Sequence, residues 1–193
     1  MALEHALLVS LSERPASGLE LTRRFDKSIG YFWTATHQQI YRVLGRMERD
    51  GWVRSTVVPQ QGRPDKKVYD VTGPGRLELQ RWLTEPTGSE PLRSDLMVKF
   101  RGASYGDRAA ILATAREKLA EHRQRLAVYE HIAERDFPKP DGLADRELDM
   151  YLVLRGGLLM EQFWIDWLTE YLTAHEGLDT VAARPAPPTE EEA

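Results

Sequence analysis

The stretch from Thr36 to Gly51, THQQIYRVLGRMERDG, decides the fold of the first half of the chain. Thr36 followed three residues later by Gln39 is a capping box, in which each side chain satisfies a backbone N–H at the start of a helix. The apolar residues after it recur at the spacing of one helical face, and they are Ile40, Val43, Leu44 and Met47. Asp50-Gly51 ends the segment. It is therefore predicted to be an amphipathic helix with one buried and one polar face.

Two further short helices are predicted before this one. The first covers Ala2 to Leu11, where leucines recur every four residues. The second begins at a capping box of Ser17 and Glu20 and ends at Gly30. Three short helices in succession are typical of a helix-turn-helix.

A β-hairpin and a fourth helix are predicted to follow. The segments Trp52–Val58 and Lys66–Val71 are rich in β-forming residues, and turn-forming residues 59–65 separate them. Thr72 then precedes a helix with Pro74 in its first turn. The order helix, helix, helix, hairpin, helix is that of a winged helix-turn-helix, which we place at residues 1–85.

The second half of the chain is predicted to be helical. Residues 85–91, EPTGSEP, form a linker by composition. The predicted helices span Asp95–Arg101, Asp107–Asp136 and Ala144–Ala174. We expect residues 92–175 to form a helical dimerisation and effector domain, and the proline- and glutamate-rich residues 176–193 to be a disordered tail. The fold class is therefore mainly α with a small β-hairpin wing.

Apolar residues on the two long helices predict a homodimer. On the first they alternate at spacings of three and four, as in a coiled-coil seam, at Leu112, Ala115, Leu119, His122, Leu126, Tyr129 and Ala133. The last helix carries one stripe of Tyr151, Leu154, Leu158, Ile165, Leu168 and Leu172. It carries a second stripe of Leu148, Leu152, Leu159, Phe163, Trp167 and Tyr171. One partner helix covers only one stripe, so the other is expected to be buried against a second chain.

Charge and composition restrict the class of protein. Residues 1–85 hold 13 Lys and Arg against 10 Asp and Glu, a net charge of +3, whereas residues 86–193 hold 13 against 20, a net charge of −7. A basic first half suits a surface that faces phosphate. The chain has no cysteine, which excludes disulfides and thiolate metal sites. No apolar run has the length of a membrane span, so we expect a cytoplasmic protein with no membrane contact.

The polar face of the helix after Thr36 and the hairpin loop are the candidate nucleic-acid contacts. Gln and Arg side chains near the start of such a helix pair with base edges, and cations on a wing loop bind phosphate or the minor groove. The candidate DNA-binding residues are Ser17, Thr36, His37, Gln38, Gln39, Tyr41, Arg42, Arg46, Gly62, Arg63, Lys66 and Lys67. A solvated helix face and an ordinary charged turn are the alternative interpretations of these segments.

Residues 3–84 resemble the PadR family of bacterial regulators. The matching text is Ala6-Leu7-Leu8, Ser17–Leu21, Phe32-Trp33, Gln39–Leu44, Arg46–Gly51, Gly62–Tyr69 and Thr72–Arg76. Residues 92–175 are similar to the C-terminal module of the virulence-regulator-like branch of that family, through Leu92-Arg93 and the two-helix layout. The resemblance implies a homodimeric transcriptional repressor that binds an inverted repeat in double-stranded promoter DNA.

The resemblance also implies a small aromatic or planar hydrophobic ligand, because members of the family respond to such molecules. The candidate effector-binding residues are Phe163, Trp164, Trp167 and Tyr171 on the last helix. Aromatic residues at helical spacing more often belong to a core or a dimer interface, and this interpretation stays open.

An enzyme and a protein-interaction module are the alternatives to a DNA-binding regulator. The five histidines show no metal-ligand spacing such as HExxH, and the segments 62–67 and 73–76 lack the pattern of a phosphate or dinucleotide loop. We therefore expect no enzyme, catalytic residue, metal or cofactor. The alternative function is a winged-helix protein-interaction module without specific DNA binding, which would show no salt-sensitive DNA affinity.

Overall fold

The computed structural model describes residues 2–27, 35–59, 62, 65–88 and 93–182. The chain divides into two compact units, Met1–Glu90 and Pro91–Ala193. None of the helices in these described ranges combines the length and apolar character that a membrane span requires.

The first unit has the predicted winged-helix order with one additional strand. Its elements are α1 (Ala2–Glu13), β1 (Ala16–Ser17), α2 (Gly18–Lys27), α3 (His37–Arg49), β2 (Val53–Val58), β3 (Lys66–Val71) and α4 (Gly73–Leu83). The antiparallel hairpin of β2 and β3 is confirmed, and β1 pairs with the other edge of β3. Strand β1 was not predicted, because a two-residue strand has no periodicity of its own.

Buried side chains of α1, α2, α3 and the three strands form the core of the first unit, and Leu79 of α4 packs against it. The stripe predicted on α3 is buried, with Ile40, Leu44 and Met47 fully inaccessible to solvent. These residues pack with buried leucines of α1 and with Phe25 of α2. Each such side chain stabilises the fold by about 1.5–3 kcal/mol relative to an exposed one. Because this face of α3 is buried, the opposite face points toward solvent.

Both predicted capping boxes are present. The hydroxyl of Thr36 accepts a hydrogen bond from the Gln39 N–H at 3.3 Å, and the Thr36 N–H donates to Gln39 Oε1 at 2.8 Å. Ser17 and Glu20 make the equivalent contacts at the start of α2. Gly51, whose φ of 74° suits glycine, follows the C-terminal cap of α3. The predicted end of α2 at Gly30 lies outside the described residues.

The start of α4 lies directly against the segment that enters the hairpin. The Thr72 hydroxyl accepts from the Gly75 N–H at 3.1 Å and also lies 3.0 Å from the Trp52 carbonyl oxygen. A Cβ atom on Gly75 would come within 2.1 Å of that same oxygen. Glycine is therefore required here by close backbone approach.

The second unit is built on a long antiparallel helical hairpin. Its helices are α5 (Asp95–Arg101), α6 (Arg108–Asp136) and α7 (Asp145–Ala182). The predicted bounds of α5 and α6 are confirmed, with Ser94 and Asp107 as N-terminal caps. The predicted end of the last helix at Ala174 is wrong, because α7 continues to Ala182, into the segment expected to be a disordered tail. Residues 183–193 of that tail lie outside the described residues.

The seam of α6 and one stripe of α7 form the core of the second unit. Leu112, Ala115 and Leu119 are buried against Ile165, Leu168 and Leu172. Phe100 of α5 joins this cluster. Farther along the hairpin, the buried ring of Tyr129 packs against Gly157. A Cβ atom on Gly157 would lie 3.0 Å from the nearest atom of that ring. The second stripe is covered only in part. Its residues Leu148, Leu152, Leu159 and Phe163 are exposed, whereas Trp167 and Tyr171 pack against the core of this unit.

Candidate nucleic-acid interface

The solvent face of α3 carries two polar side chains that have no partner in the described part of the chain. Gln38 and Arg42 are exposed, and neither makes a hydrogen bond or ion pair with the residues that the structure describes. His37 is also exposed, at the first position of the helix. An amide and a guanidinium one turn apart can both engage base edges bidentately, which is the chemistry of major-groove contacts.

Tyr41 joins α3 to the start of α2. A Cβ atom on Gly18 would lie only 2.4 Å from Tyr41 Cε1, so the tyrosine ring covers this glycine. The ring is nevertheless 49% exposed. Tyr41 therefore has a packing role and still presents part of its surface beside Arg42.

Three of the predicted DNA-binding residues have capping roles. Thr36 and Gln39 cap α3, and Ser17 is buried with its hydroxyl donating to Glu20 Oε2 at 2.9 Å. The Gln39 carbonyl oxygen and the hydroxyl groups of Thr36 and Ser17 thus make hydrogen bonds within the protein. DNA contact by these residues stays a prediction.

The predicted cations Arg46, Lys66 and Lys67 are each paired with a carboxylate. Arg46 pairs with Glu4 of α1. Lys66 Nζ lies 2.6 Å from Glu20 Oε1, and Lys67 Nζ lies 2.8 Å from Glu48 Oε2. Their pairing contrasts with the free guanidinium of Arg42 within the described residues. Of the wing tip, Gly62 is exposed, and Arg63 lies outside the described residues.

The ion pairs on the hairpin lower the pKa of both carboxyl groups. The hydrogen bond from Lys66, with further ones from Ser17, lowers the pKa of Glu20 to about 2. Hydrogen bonds from Lys67 and Ser55 lower the pKa of Glu48, and the Glu48 carboxylate in turn raises the pKa of Lys67. Glu20, Glu48 and Lys67 are therefore charged at neutral pH.

The four aromatic residues predicted to bind an effector lie along α7, and two of them pack against α5. Trp167 and Tyr171 stack on Phe100, with ring centroids 5.4 and 4.3 Å away, and the Tyr171 hydroxyl donates to the Phe100 carbonyl. Trp164 stacks on His122, and Phe163 is exposed. An open depression of about 560 Å³ on α7 is lined by Asp166, Thr169, Glu170, Thr173 and Ala174. Effector binding by the four aromatic residues stays a prediction.

A buried polar cluster between α6 and α7 was not predicted from the sequence. Glu161 is buried, and its carboxylate lies 2.5 Å from His122 Nδ1 and 3.2 Å from Arg125 Nη1. A signal was present, because Glu161 falls on the apolar stripe between Leu158 and Ile165. A charge at a core position predicts a partner on the facing helix.

The carboxylates that pair with the cations of the first unit were also missed. Glu20 was identified only as a cap, and Glu4 and Glu48 were given no role. No local pattern joins Glu4 to Arg46 or Glu48 to Lys67, because the members of each pair lie on different elements.

Two family models match the chain, one on each unit. The model of the PadR-like family of transcriptional regulators matches residues 7–81. The model of the virulence activator alpha C-terminal domain matches residues 92–176. The two matches correspond to the two units of the structure.

Relatives of known sequence match nearly the whole chain. A probable transcriptional regulator of Mycobacterium tuberculosis is 52% identical over 184 residues, which are 90% of this chain and 97% of that protein. The negative transcriptional regulator PadR of Bacillus subtilis is 27% identical and covers 88% of this chain and 95% of its own length.

Solved structures of similar proteins have the same fold over both units. Virulence activator AphA of Vibrio cholerae has a TM-score of 0.75 at 33% identity, covering 91% of this chain and 99% of its own. Bacillus subtilis PadR in complex with operator DNA has a TM-score of 0.79 at 26% identity, covering 90% and 99%. The same protein in complex with p-coumaric acid has a TM-score of 0.73 at 26% identity, covering 90% and 98%. With its exposed α3 face and its β-hairpin wing, the chain belongs to the PadR-like family of DNA-binding transcriptional regulators.

Proposed function

We propose that this protein is a homodimeric repressor that binds an inverted repeat in promoter DNA with α3 and the β2–β3 hairpin. The observation that carries the proposal is the exposed face of α3, where Gln38 and Arg42 are unpaired within the described residues. The complex of the Bacillus subtilis relative with operator DNA supports it. A regulator of this kind acts where the chromosome lies, so we place the protein in the cytoplasm.

We assign different contacts to the helix and to the wing. Gln38 and Arg42 engage base edges in the major groove, while Lys66, Lys67 and Arg63 meet phosphate or the minor groove. Base contacts discriminate between sequences, whereas phosphate contacts strengthen binding to any duplex. A two-fold symmetric dimer would place two copies of α3 on two half-sites of an inverted repeat.

The exposed residues of the second stripe on α7 support a dimer formed by the second unit. Leu152 and Leu159 are 54% and 56% exposed, and Phe163 is 53% exposed. A row of large apolar side chains along one helix is normally buried against another chain. A second copy of the same stripe is the matching partner for a symmetric interface.

The dimer is tested by placing a charge on that stripe. Phe163→Glu should convert the protein to a monomer in light scattering, because a carboxylate would be buried in the interface without a partner. Val128→Glu is the matched control, since Val128 is an exposed apolar residue of α6 outside the stripe. A parent protein that is monomeric at micromolar concentration would contradict the dimer.

The division of DNA contacts is tested by titrating variants on two duplexes. One duplex is the upstream region of the protein's own gene, and the other is its scrambled sequence. Gln38→Ala or Arg42→Ala should each cost about 1–3 kcal/mol on the specific duplex and little on the scrambled one. Salt-independent weak affinity of the parent for both duplexes would favour the protein-interaction module instead.

We propose a small planar aromatic molecule as effector, supported by the p-coumaric acid complex of the Bacillus subtilis relative. The surface aromatic residues of α7, Phe163 and Trp164, are the candidate contacts. Adding p-coumaric acid should quench tryptophan emission and weaken the DNA complex. An unchanged DNA affinity would assign these side chains to packing and to the dimer interface alone.

A further inference from the structure

Two carboxylates hold the two lysines at the start of β3. Lys66 Nζ donates a hydrogen bond to Glu20 Oε1 of α2 at 2.6 Å, and Lys67 Nζ donates one to Glu48 Oε2, near the end of α3, at 2.8 Å. Consecutive residues of a strand project to opposite faces of the sheet. The base of the wing is therefore paired with a carboxylate on both faces.

Both carboxylates are held in place by groups other than the lysines. The Ser17 N–H and hydroxyl donate to Glu20 Oε2 at 2.8 and 2.9 Å. The Ser55 hydroxyl donates to Glu48 Oε1 at 2.5 Å. Each carboxylate thus keeps its position when its lysine turns away. The lowered pKa of Glu20 and Glu48 agrees with this arrangement, because both groups are ionised at neutral pH.

The lysines themselves remain within reach of DNA. The side chains of Lys66 and Lys67 are 30% and 47% exposed. When a DNA phosphate approaches either ammonium group, that group is already hydrogen-bonded to a glutamate carboxylate. Phosphate and carboxylate are both anionic acceptors, so they compete for the same donor.

Competition of this kind affects the salt dependence of binding. A lysine that neutralises a DNA phosphate releases condensed counterions and steepens the slope of log K against log salt by about 0.9. A lysine that already faces a carboxylate adds less than this amount, because the pair as a whole is neutral. The effect acts on any duplex, whatever its sequence.

We infer that Glu20 and Glu48 are internal counter-charges that compete with DNA phosphates for Lys66 and Lys67 and so weaken binding to every duplex. The inference rests on the proposed DNA-binding function and adds a control on its strength. It differs from a purely positional role of the carboxylates, which would strengthen binding to the specific duplex alone.

The test is a titration of Glu20→Gln and Glu48→Gln on the specific and scrambled duplexes at several salt concentrations. Glutamine keeps the carbonyl oxygen that accepts from Ser17 or Ser55, so the local structure is retained. Each variant should bind both duplexes about two- to five-fold more tightly, the factor that matches an exposed ion pair. Each slope should steepen by up to about 0.9.

Two further variants separate this effect from net charge and from misfolding. Glu121→Gln changes the net charge by the same amount as Glu20→Gln or Glu48→Gln, but Glu121 pairs with Lys118 in the second unit. The DNA affinity and salt slope of this variant should therefore match those of the parent. The double variant Glu48→Gln/Lys67→Gln has the parent's net charge and removes the competing pair and the lysine together. Its slope should return to the parent value.

Three outcomes would overturn the inference. Single variants that match the parent in affinity and slope would show that the carboxylates do not compete with phosphate. Variants that fold but lose affinity only for the specific duplex would show that they position the wing. A parent protein without salt-dependent affinity for either duplex would refute the proposed function itself, and this inference with it.

Discussion

Replacing Arg46 with alanine would leave a buried carboxylate without its ion-pair partner. Glu4 of α1 is only 7% exposed, and it pairs with Arg46 through one carboxylate oxygen. Its second oxygen, Oε2, is buried and has no hydrogen-bond partner in the described part of the chain. Arg46 is therefore the principal compensation for this charge.

The size of the effect follows from how far the pair is buried. Removing one member of a fully buried pair costs about 3–5 kcal/mol, whereas an exposed pair contributes about 0–1 kcal/mol. The side chain of Arg46 is 37% exposed and that of Glu4 is 9% exposed, so water reaches one end of the pair. Arg46→Ala should then lower the free energy of unfolding of the first unit by about 1–3 kcal/mol. Arg42→Ala, at an exposed site, should change it by no more than about 0.5 kcal/mol.

The assay is urea unfolding of the full chain, followed by tryptophan fluorescence and circular dichroism. Glu4→Gln/Arg46→Ala should regain part of the lost stability, because no buried charge remains. In a mobility-shift assay under conditions in which the variant remains folded, Arg46→Ala should keep the parent's affinity for the specific duplex. Arg42→Ala should lose about 1–3 kcal/mol there.

One result would refute this assignment. If Arg46→Ala unfolds at the parent's urea midpoint and yet binds the specific duplex weakly, Arg46 contacts DNA. Its pairing with Glu4 would then contribute nothing measurable to the fold.

Two further changes test the contacts that fix the first unit. Gly75→Ala should lower the free energy of unfolding in urea by at least about 1–3 kcal/mol, because the added Cβ would lie 2.1 Å from a backbone oxygen. Gly73→Ala is the control and should leave that free energy unchanged, because a Cβ there meets nothing within 4 Å. Hydrogen bonds, chiefly from Arg81, lower the pKa of Glu78 from 4.5 to about 2. The stability that these hydrogen bonds provide is therefore complete above pH 4.5 and is lost as the pH falls toward 2. Glu78→Gln should flatten the pH dependence of unfolding in that window, and an unchanged profile would contradict the assigned pair.

The elements that could be predicted are those specified by local chemistry. The bounds of α5 and of the hairpin strands β2 and β3 follow from residues that lie within or beside each element. Thr36 and Gln39 illustrate this, because a capping box needs only groups within three residues of each other. Apolar spacing likewise predicted which face of α3 is buried.

The contacts that could not be predicted join elements that are distant in sequence. The strand β1 exists only because Ala16 and Ser17 meet Tyr69 and Val68 of β3. The extension of α7 to Ala182 was not predicted. Residues 175–182 contain no proline that would end the helix, but they adjoin a segment of tail-like composition. Both errors come from interactions or continuity that a short window of sequence does not contain.

Charge counting shows the same limit at the candidate interface. The net charge of +3 in residues 1–85 suggested a basic surface, and Arg42, Arg46, Lys66 and Lys67 were treated alike. In the folded chain the last three face carboxylates, and Arg42 alone of these four has no ion pair among the described residues. Electrostatic attraction to DNA depends on charges that are not already compensated nearby. Base discrimination should therefore rest on the few unpaired groups at the start of α3, and the salt dependence should follow the number of cations that are not paired with a carboxylate.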